Sequence, residues 1–187
     1  VNVNSTSVYS SYLREEHRHN EAIVAGESLI VGLDFNVTNM NAVIHVKRSN
    51  KLYAVGEIVS AYNTQSICEQ LKIKYPSHNF IINPDASGNS RHSTGATDFG
   101  ILKKAGFRID APKKNPLVNH RVNAVNLGFE QGLYFVDDIA CPVYAESLEK
   151  QAYKDEVPDK SSGYDHITEA GGYSVYRNLF GKKIAKF

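Results

Sequence analysis

The chain has few cysteines, no long apolar run and almost no net charge. Its two cysteines, Cys68 and Cys141, are too few for a disulfide framework and belong to no Cys-x-x-Cys zinc motif. They fit a protein of a reducing cytosol. No apolar run approaches the ~20 residues that a transmembrane helix needs, so we expect no membrane association. Residues 1–6 have neither the basic end nor the apolar stretch of a signal peptide.

The chain also lacks an initiator methionine and a phosphate-binding loop. It begins at Val1, so we expect it to be a piece of a longer protein. No Gly-x-x-x-x-Gly-Lys-Ser/Thr motif occurs in the sequence, which excludes a P-loop ATPase motor within these residues. There are no internal repeats and no low-complexity tracts, so neither a repeat protein nor a disordered chain is predicted.

Length and composition are typical of one soluble globular domain. The 187 residues can bury a sizeable core, and the sequence is 42% hydrophobic and 22% charged. The net charge is +1, whereas a domain that grips DNA by itself is usually more basic. Six basic residues nevertheless fall in one stretch, which indicates either a phosphate-facing patch or a solvated face. They are Lys103, Lys104, Arg108, Lys113, Lys114 and Arg121.

Hydrophobic periodicity predicts an α/β fold. Three strand patterns with short connections predict an antiparallel meander, and the next strand is entered from a helix, so we expect it to run parallel to the first. This order predicts a mixed sheet with helices on both faces. The predicted strands are 29–35, 42–47, 51–59, 80–82, 107–109 and 133–136, and the predicted helices are 66–75, 97–105, 115–131, 142–153 and 165–180.

Two polar segments lie outside this pattern. Residues 1–27 are predicted to be a leader or linker with one short helix at 10–21, and 155–163 a polar loop. The domain itself is expected to span 28–187.

Three short acidic motifs place a carboxylate where a predicted element begins or ends. Gly-Leu-Asp-Phe-Asn at 32–36 ends the first strand with Asp34, and Asn-Pro-Asp at 83–85 places Asp85 just after the fourth. Asp-His-Ile-Thr-Glu-Ala at 165–170 opens the last helix. Like charges held together repel, so such a cluster makes sense if a divalent cation neutralises it. The motifs therefore indicate metal-dependent phosphodiester chemistry.

Each acid also has a simpler structural interpretation. Asp34 could cap a turn, Asp85 could bond the backbone of its own turn, and Asp165 could stabilise the start of a helix. Side chains alternate along a strand, so Asp34 should share a face with Ile30 and Gly32, where the glycine leaves room beside it.

The order of these motifs resembles that of ribonuclease H-like nucleases. An Asp ends the first strand, a meander follows, a second Asp follows the fourth strand, and the last helix opens on acids. More narrowly, the motifs at 32–36, 84–85 and 165–173 resemble those of the C-terminal nuclease domain of the large terminase subunit of tailed bacteriophages. The resemblance covers about residues 28–180. It implies a ribonuclease H-like mixed sheet flanked by helices, with residues 1–27 as the end of an interdomain linker.

The resemblance also implies a catalytic site. Asp34, Asp85, Asp165 and Glu169 are its expected metal ligands, and His166 is expected to handle a proton or support a ligand. All-carboxylate sites select Mg²⁺ or Mn²⁺, and two such ions would bridge the scissile phosphate. Whether Asp165 or Glu169 is the third ligand stays open.

Some residues depart from the family pattern. Glu169 stands where the family commonly has Asp, and its longer arm could shift the site. Gly171 and Gly172 stand where the family often has a bulkier pair, and each weakens the helix by roughly 1 kcal/mol. Glu57 on the third strand is either a peripheral ligand or a solvent-facing residue.

The implied substrate is concatemeric double-stranded DNA, cut by an endonuclease during viral genome packaging. The implied partners are an ATPase motor domain outside this chain, a portal and a small terminase subunit, at the procapsid portal in the host cytoplasm. A junction resolvase, a ribonuclease H and a non-catalytic DNA- or portal-binding module are the alternatives. Contacts to DNA phosphates give affinity without sequence specificity, and we expect them from these residues: Arg91, Lys103, Lys104, Lys113, Lys114 and Arg121.

Overall fold

The computed structural model describes residues 6–90 and 95–181, and a six-stranded mixed sheet forms its centre. The strand order is β5-β4-β1-β2-β3-β6. β1, β2 and β3 form the predicted antiparallel meander, and β4 runs parallel to β1, as expected. β5 is parallel to β4, and β6 is parallel to β3. The strands are β1 Leu29–Asp34, β2 Met40–Arg48, β3 Lys51–Ala61, β4 Phe80–Pro84, β5 Arg108–Ile109 and β6 Tyr134–Val136.

Helices cover both faces of the sheet, which confirms the predicted α/β class. One apolar cluster joins the sheet to the second and third helices, and the other joins it to the last three helices. In the part of the chain that the structure describes, no helix combines the length and apolar character needed to cross a membrane. The helices are α1 Arg14–His17, α2 Thr64–Lys74, α3 Asp98–Lys104, α4 Val118–Glu130, α5 Pro142–Lys150 and α6 Asp165–Val175.

Alternation along β1 assigns its side chains to these two clusters. Leu29, Val31 and Leu33 belong to the cluster beneath α2 and α3. Ile30 belongs to the other cluster, beneath α6. Asp34 points to the same face as Ile30, as the sequence predicts, and so emerges beside α6 rather than beside α2.

Capping side chains fix the starts of two helices. The Asn63 side chain accepts a hydrogen bond from the Ser66 backbone N–H at 2.9 Å, which starts α2. The Thr97 hydroxyl accepts one from the Gly100 N–H at 2.9 Å, which starts α3. Gly106, with φ +91°, follows α3 and turns the chain towards β5.

The described part of the N-terminal segment packs on the domain. Val8, Tyr9 and Tyr12 are buried in the cluster beneath α4 and α5. The predicted helix at 10–21 is shortened to Arg14–His17, because the flanking residues Leu13 and Arg18 have extended backbone angles. The extent of the linker predicted at 1–27 stays a prediction, although residues 6–17 are attached to the fold.

Three further elements differ from the predicted ones. α5 ends at Lys150 because the next residues pair with the N-terminal segment, where the Tyr153 N–H donates to the Thr6 carbonyl at 2.7 Å. The predicted polar loop contains the end of a hairpin, formed by β7 Tyr153–Lys154 and β8 Val157–Pro158. α6 ends at Val175, and a π-helical turn continues over Tyr176–Phe180.

Candidate functional site

Asp34 and Asp85 lie side by side at the C-terminal ends of two neighbouring strands of the sheet. Asp34 is the last residue of β1, and Asp85 follows Pro84, the last residue of β4. The two strands are parallel neighbours in which Leu33 pairs with Pro84, and the Asp85 N–H donates to the Leu33 carbonyl at 2.9 Å. Hydrogen bonding between parallel strands therefore holds the backbones of Asp34 and Asp85 next to each other.

The first turn of α6 closes over Asp34. His166 Nδ1 lies 3.1 Å from Asp34 Oδ2, and the Asn36 side-chain amide lies 2.9 Å from His166 Nε2. An amide nitrogen can only donate, so Nε2 accepts this hydrogen bond and Nδ1 donates to Asp34. Asn36 thus fixes which ring nitrogen of His166 faces the carboxylate. The sequence shows Asn36 only as a turn residue.

The charge on Asp34 is disfavoured by its surroundings. Only 5% of Asp34 is exposed, and this burial is the largest cause that raises its pKa. The neighbouring charges of Glu169 and Asp85 raise it further, and His166 lowers it, so that the pKa is about 7. The charges of Asp85, which follows β4, and of Glu169, on α6, therefore both act on Asp34 at the end of β1.

Glu169 contacts two cationic side chains. Its Oε1 lies 3.0 Å from Arg121 Nη2 and 3.6 Å from Lys160 Nζ. Arg121 is 4% exposed, and its guanidinium lies 4.9 Å from the centre of the Tyr173 ring. This burial corrects the expectation that Arg121 contacts DNA phosphates, because its guanidinium faces a carboxylate in the interior.

Asp85 supports its own turn and is also held by a distant residue. Its Oδ1 accepts hydrogen bonds from the Ser87 N–H at 2.7 Å and from the Asn115 amide at 2.6 Å. The turn interpretation is therefore correct, and it is compatible with a position beside Asp34. Asn115 lies in the loop before α4. Its hydrogen bond to Asp85 brings its neighbours, the exposed Lys113 and Lys114, to the same end of the sheet.

Asp165 differs in surroundings from Glu169, although both are on α6. Asp165 is 1% exposed, and its Oδ2 is 3.8 Å from His166 Nδ1. Its other oxygen, Oδ1, is buried and has no hydrogen-bond partner among the described residues.

The predicted basic residues do not form a single patch. Lys103 and Lys104 are exposed in the last turn of α3, shortly before Arg108. Arg108 pairs with Ile81, which precedes Asp85 by four residues, or about 13 Å along β4. Arg108 and the preceding Lys103 and Lys104 therefore lie towards the N-terminal end of β4, away from Lys113 and Lys114 at its C-terminal end. Arg91 lies outside the described residues.

Glu57 has a structural role that the sequence does not reveal. Its two carboxylate oxygens accept hydrogen bonds from the Val143 and Tyr144 backbone N–H groups, at 3.1 and 2.8 Å, at the start of α5. Burial raises the pKa of Glu57, against these two hydrogen bonds, which lower it. Glu57 is therefore not a free solvent-facing side chain, and both of its carboxylate oxygens are directed to α5 rather than to Asp34.

The donor types of the site suit a hard divalent cation, but the side chains do not enclose one. Within residues 6–90 and 95–181, no group of three or more His, Cys, Asp or Glu is placed to hold a metal ion. Asp34, Asp85 and Glu169 nevertheless supply carboxylate oxygens, the ligands preferred by Mg²⁺ and Mn²⁺, and their mutual repulsion would be relieved by a cation.

No protein-family model matches the chain, and no curated protein matches it by sequence. Solved structures of large terminases are similar to it. A large terminase of a thermophilic bacteriophage, in complex with ATP-gamma-S, superposes with a TM-score of 0.75 at 17% identity, over 94% of this chain and 46% of that one. The nuclease domain of the P22 large terminase has a TM-score of 0.69 at 15% identity, over 98% and 100% of the two chains.

A third similar structure contains a metal. It is the g2p (large terminase) nuclease domain of bacteriophage SPP1 with bound Mn, with a TM-score of 0.55 at 22% identity over 80% of this chain and 86% of that one. These likenesses confirm the predicted ribonuclease H-like sheet and show the fold that large-terminase nuclease domains share. The chain spans about half the length of the thermophilic-phage protein.

Proposed function

We propose that this chain, which has the fold of large-terminase nuclease domains, is a metal-dependent endodeoxyribonuclease that cuts concatemeric double-stranded DNA during viral genome packaging. The observation that carries this proposal is the position of Asp34 and Asp85 at the ends of the neighbouring parallel strands β1 and β4, beneath the first turn of α6. The buried Asp34 is also within electrostatic range of Glu169 and Asp85. A cation at this end of the sheet would relieve the repulsion that Glu169 and Asp85 exert on the buried charge of Asp34. Asp34, Asp85 and Glu169 each come from one of the three acidic motifs of the sequence.

The proposed cofactors are two Mg²⁺ or Mn²⁺ ions held by Asp34, Asp85 and Glu169. Such ions would lower the pKa of a bound water and neutralise charge on the scissile phosphate. We propose Glu169 rather than Asp165 as the third ligand, because the charge of Glu169 acts on Asp34. The Mn bound to the similar SPP1 domain supports this choice of cations.

The protein side chains position the reacting groups. His166 donates from Nδ1 to Asp34 and thereby orients that carboxylate at the end of β1. Lys113 and Lys114, held near Asp85 through Asn115, contact the phosphates of the duplex. The proposed products carry 5′-phosphate and 3′-hydroxyl ends.

One of the proposed partners is suggested by the greater length of a similar protein. Since this chain spans 46% of the thermophilic-phage large terminase, which was solved with ATP-gamma-S, we propose an ATPase motor domain outside these residues. A portal and a small terminase subunit are the further proposed partners, and the proposed location is the procapsid portal in the host cytoplasm.

A comparison of substrates tests this function. The chain is incubated with Mn²⁺ and plain duplex DNA, a four-way DNA junction or an RNA–DNA hybrid of the same sequence. The proposal predicts cleavage of the plain duplex at a rate similar to that of the junction and above that of the hybrid. A strong preference for the junction or the hybrid would instead identify a junction resolvase or a ribonuclease H. Binding of duplex without cleavage would identify a non-catalytic module.

A further inference from the structure

Arg121 is enclosed by groups that fix its position. A β-carbon on Gly172 would lie 2.9 Å from both Cγ and Cδ of Arg121, so the glycine leaves the space that the arginine stem occupies. The guanidinium lies over the Tyr173 ring and faces Glu169. With 4% of the residue exposed, Arg121 has little freedom to follow Glu169 if that carboxylate turns.

Both cationic contacts of Glu169 use the same oxygen. Arg121 Nη2 and Lys160 Nζ approach Oε1, at 3.0 and 3.6 Å. Oε2 has no hydrogen bond or ion pair with any residue that the structure describes. The Lys160 side chain is 70% exposed and can leave, whereas Arg121 is held in place. Oε1 of Glu169 is therefore occupied by Arg121, and Oε2 is available to bind a cation.

We propose that Arg121 is a positioning residue that limits Glu169 to single-oxygen metal ligation and thereby favours Mg²⁺ or Mn²⁺ over Ca²⁺. This inference rests on the proposed function, in which Glu169 is a ligand. Ca²⁺ takes six to eight oxygens and accepts a carboxylate through both of them, whereas Mg²⁺ requires near-octahedral geometry at shorter distances. A carboxylate with one reserved oxygen suits the smaller ion.

The charge of Arg121 makes a different prediction from its geometry. A positive charge near the site repels every divalent cation, so its removal by itself would strengthen Mg²⁺ and Ca²⁺ binding together. Release of Oε1 instead helps Ca²⁺ and leaves Mg²⁺ with a poorly oriented ligand. The ratio of the two affinities therefore separates positioning from charge and from general damage to the fold.

Two variants displace Arg121 in different ways. Arg121→Met removes the guanidinium and keeps a long apolar stem, and Gly172→Ala keeps the charge but places a methyl group where the stem lies. Either variant carries the test if the other does not fold. Arg177→Met is the matched control, because Arg177 pairs with Asp110 at 2.7 Å and is eight residues, or about 12 Å, along the helix from Glu169.

The measurement is displacement of Mn²⁺ from the full chain by Mg²⁺ or by Ca²⁺, with free Mn²⁺ followed by its EPR signal. Arg121→Met and Gly172→Ala should each lower the preference for Mg²⁺ over Ca²⁺ on the order of tenfold, the lower end of the loss in metal affinity that follows removal of a group that orients a ligand. Arg177→Met should retain the wild-type ratio. Equal changes in both affinities, or an unchanged ratio in a folded variant, would overturn the inference. Failure of the wild type to bind Mn²⁺ would instead overturn the proposed function.

Discussion

Gly32 of β1 packs so closely against α6 that a β-carbon at position 32 would overlap the Ala170 carbonyl oxygen. This contact sets the distance between the strand that ends at Asp34 and the helix that carries His166 and Glu169. The glycine therefore matters for close approach of two backbones rather than for an unusual dihedral angle.

Gly32→Ala should damage both stability and the site. The added methyl must move α6 away from β1, since a backbone carbonyl cannot rotate aside like a side chain, and overpacking of this kind costs about 1–3 kcal/mol. Urea denaturation measures the loss, and Mn²⁺ titration should show weaker binding. Gly100→Ala is the control, because its β-carbon would meet only the Thr97 hydroxyl, at 3.1 Å. Equal stability of Gly32→Ala and wild type would contradict the close packing.

The raised pKa of Asp34 predicts a stability that falls as pH increases. The folded protein keeps this proton up to a pKa of about 7, whereas the unfolded chain loses it near its ordinary value of about 4. The stabilisation is thus complete below about pH 4 and is lost as the pH rises through about 7. Asp34→Asn cannot ionise, so in EDTA wild type should become less stable relative to this variant between about pH 5 and pH 8. A difference that is constant or grows in the other direction would contradict this pKa.

Glu57 should support helix α5 and contribute nothing to metal binding. Glu57→Ala removes the acceptors of the Val143 and Tyr144 N–H groups, a loss of capping that costs about 0.5–2 kcal/mol. Chemical denaturation measures it, and Glu146→Ala, which breaks an exposed pair with Lys150, should have a smaller effect. Weaker Mn²⁺ binding by folded Glu57→Ala would favour the peripheral-ligand interpretation instead.

The lysines near Asn115 should bind DNA and those of α3 should not. A double variant, Lys113→Ala with Lys114→Ala, should weaken duplex binding and reduce the slope of log affinity against log salt by about 0.9 per lost phosphate contact. The matched double variant, Lys103→Ala with Lys104→Ala, carries the same charge change at the far end of β4 and should retain the slope. Fluorescence anisotropy of a labelled duplex in Ca²⁺ measures both. Equal loss in the two variants would indicate a general charge effect.

The sequence predicts the sheet and the positions of the acidic motifs because both depend on local patterns. Alternation over 29–34 places Asp34 on one face, and the meander follows from three apolar runs with short connections. Entry into β4 from a helix correctly predicts its parallel pairing with β1. These features require no knowledge of distant contacts.

Contacts between residues that are distant in the sequence could not be predicted from it. Arg121 reads as one more basic residue, and its burial becomes clear only when Gly172, 51 positions later, leaves room for its stem. The hairpin at 153–158 also escapes prediction, because Asp155 and Glu156 adopt positive φ angles that glycine or asparagine would normally signal.

Cleavage of duplex DNA should depend on the carboxylates of Asp34 and Asp85. The most direct test is conversion of supercoiled plasmid by the chain in Mn²⁺, Mg²⁺ or EDTA, with wild type beside Asp34→Asn and Asp85→Asn. Asp138→Asn makes the same chemical change at a carboxylate that pairs with Arg18 and follows the edge strand β6, which β2 and β3 separate from β1. We predict that wild type and Asp138→Asn linearise and degrade the plasmid in Mn²⁺, while both site variants and the EDTA sample leave it intact. Cleavage by Asp34→Asn or Asp85→Asn at the wild-type rate, or an inert wild type, would rule out a metal-dependent nuclease that acts through these two carboxylates.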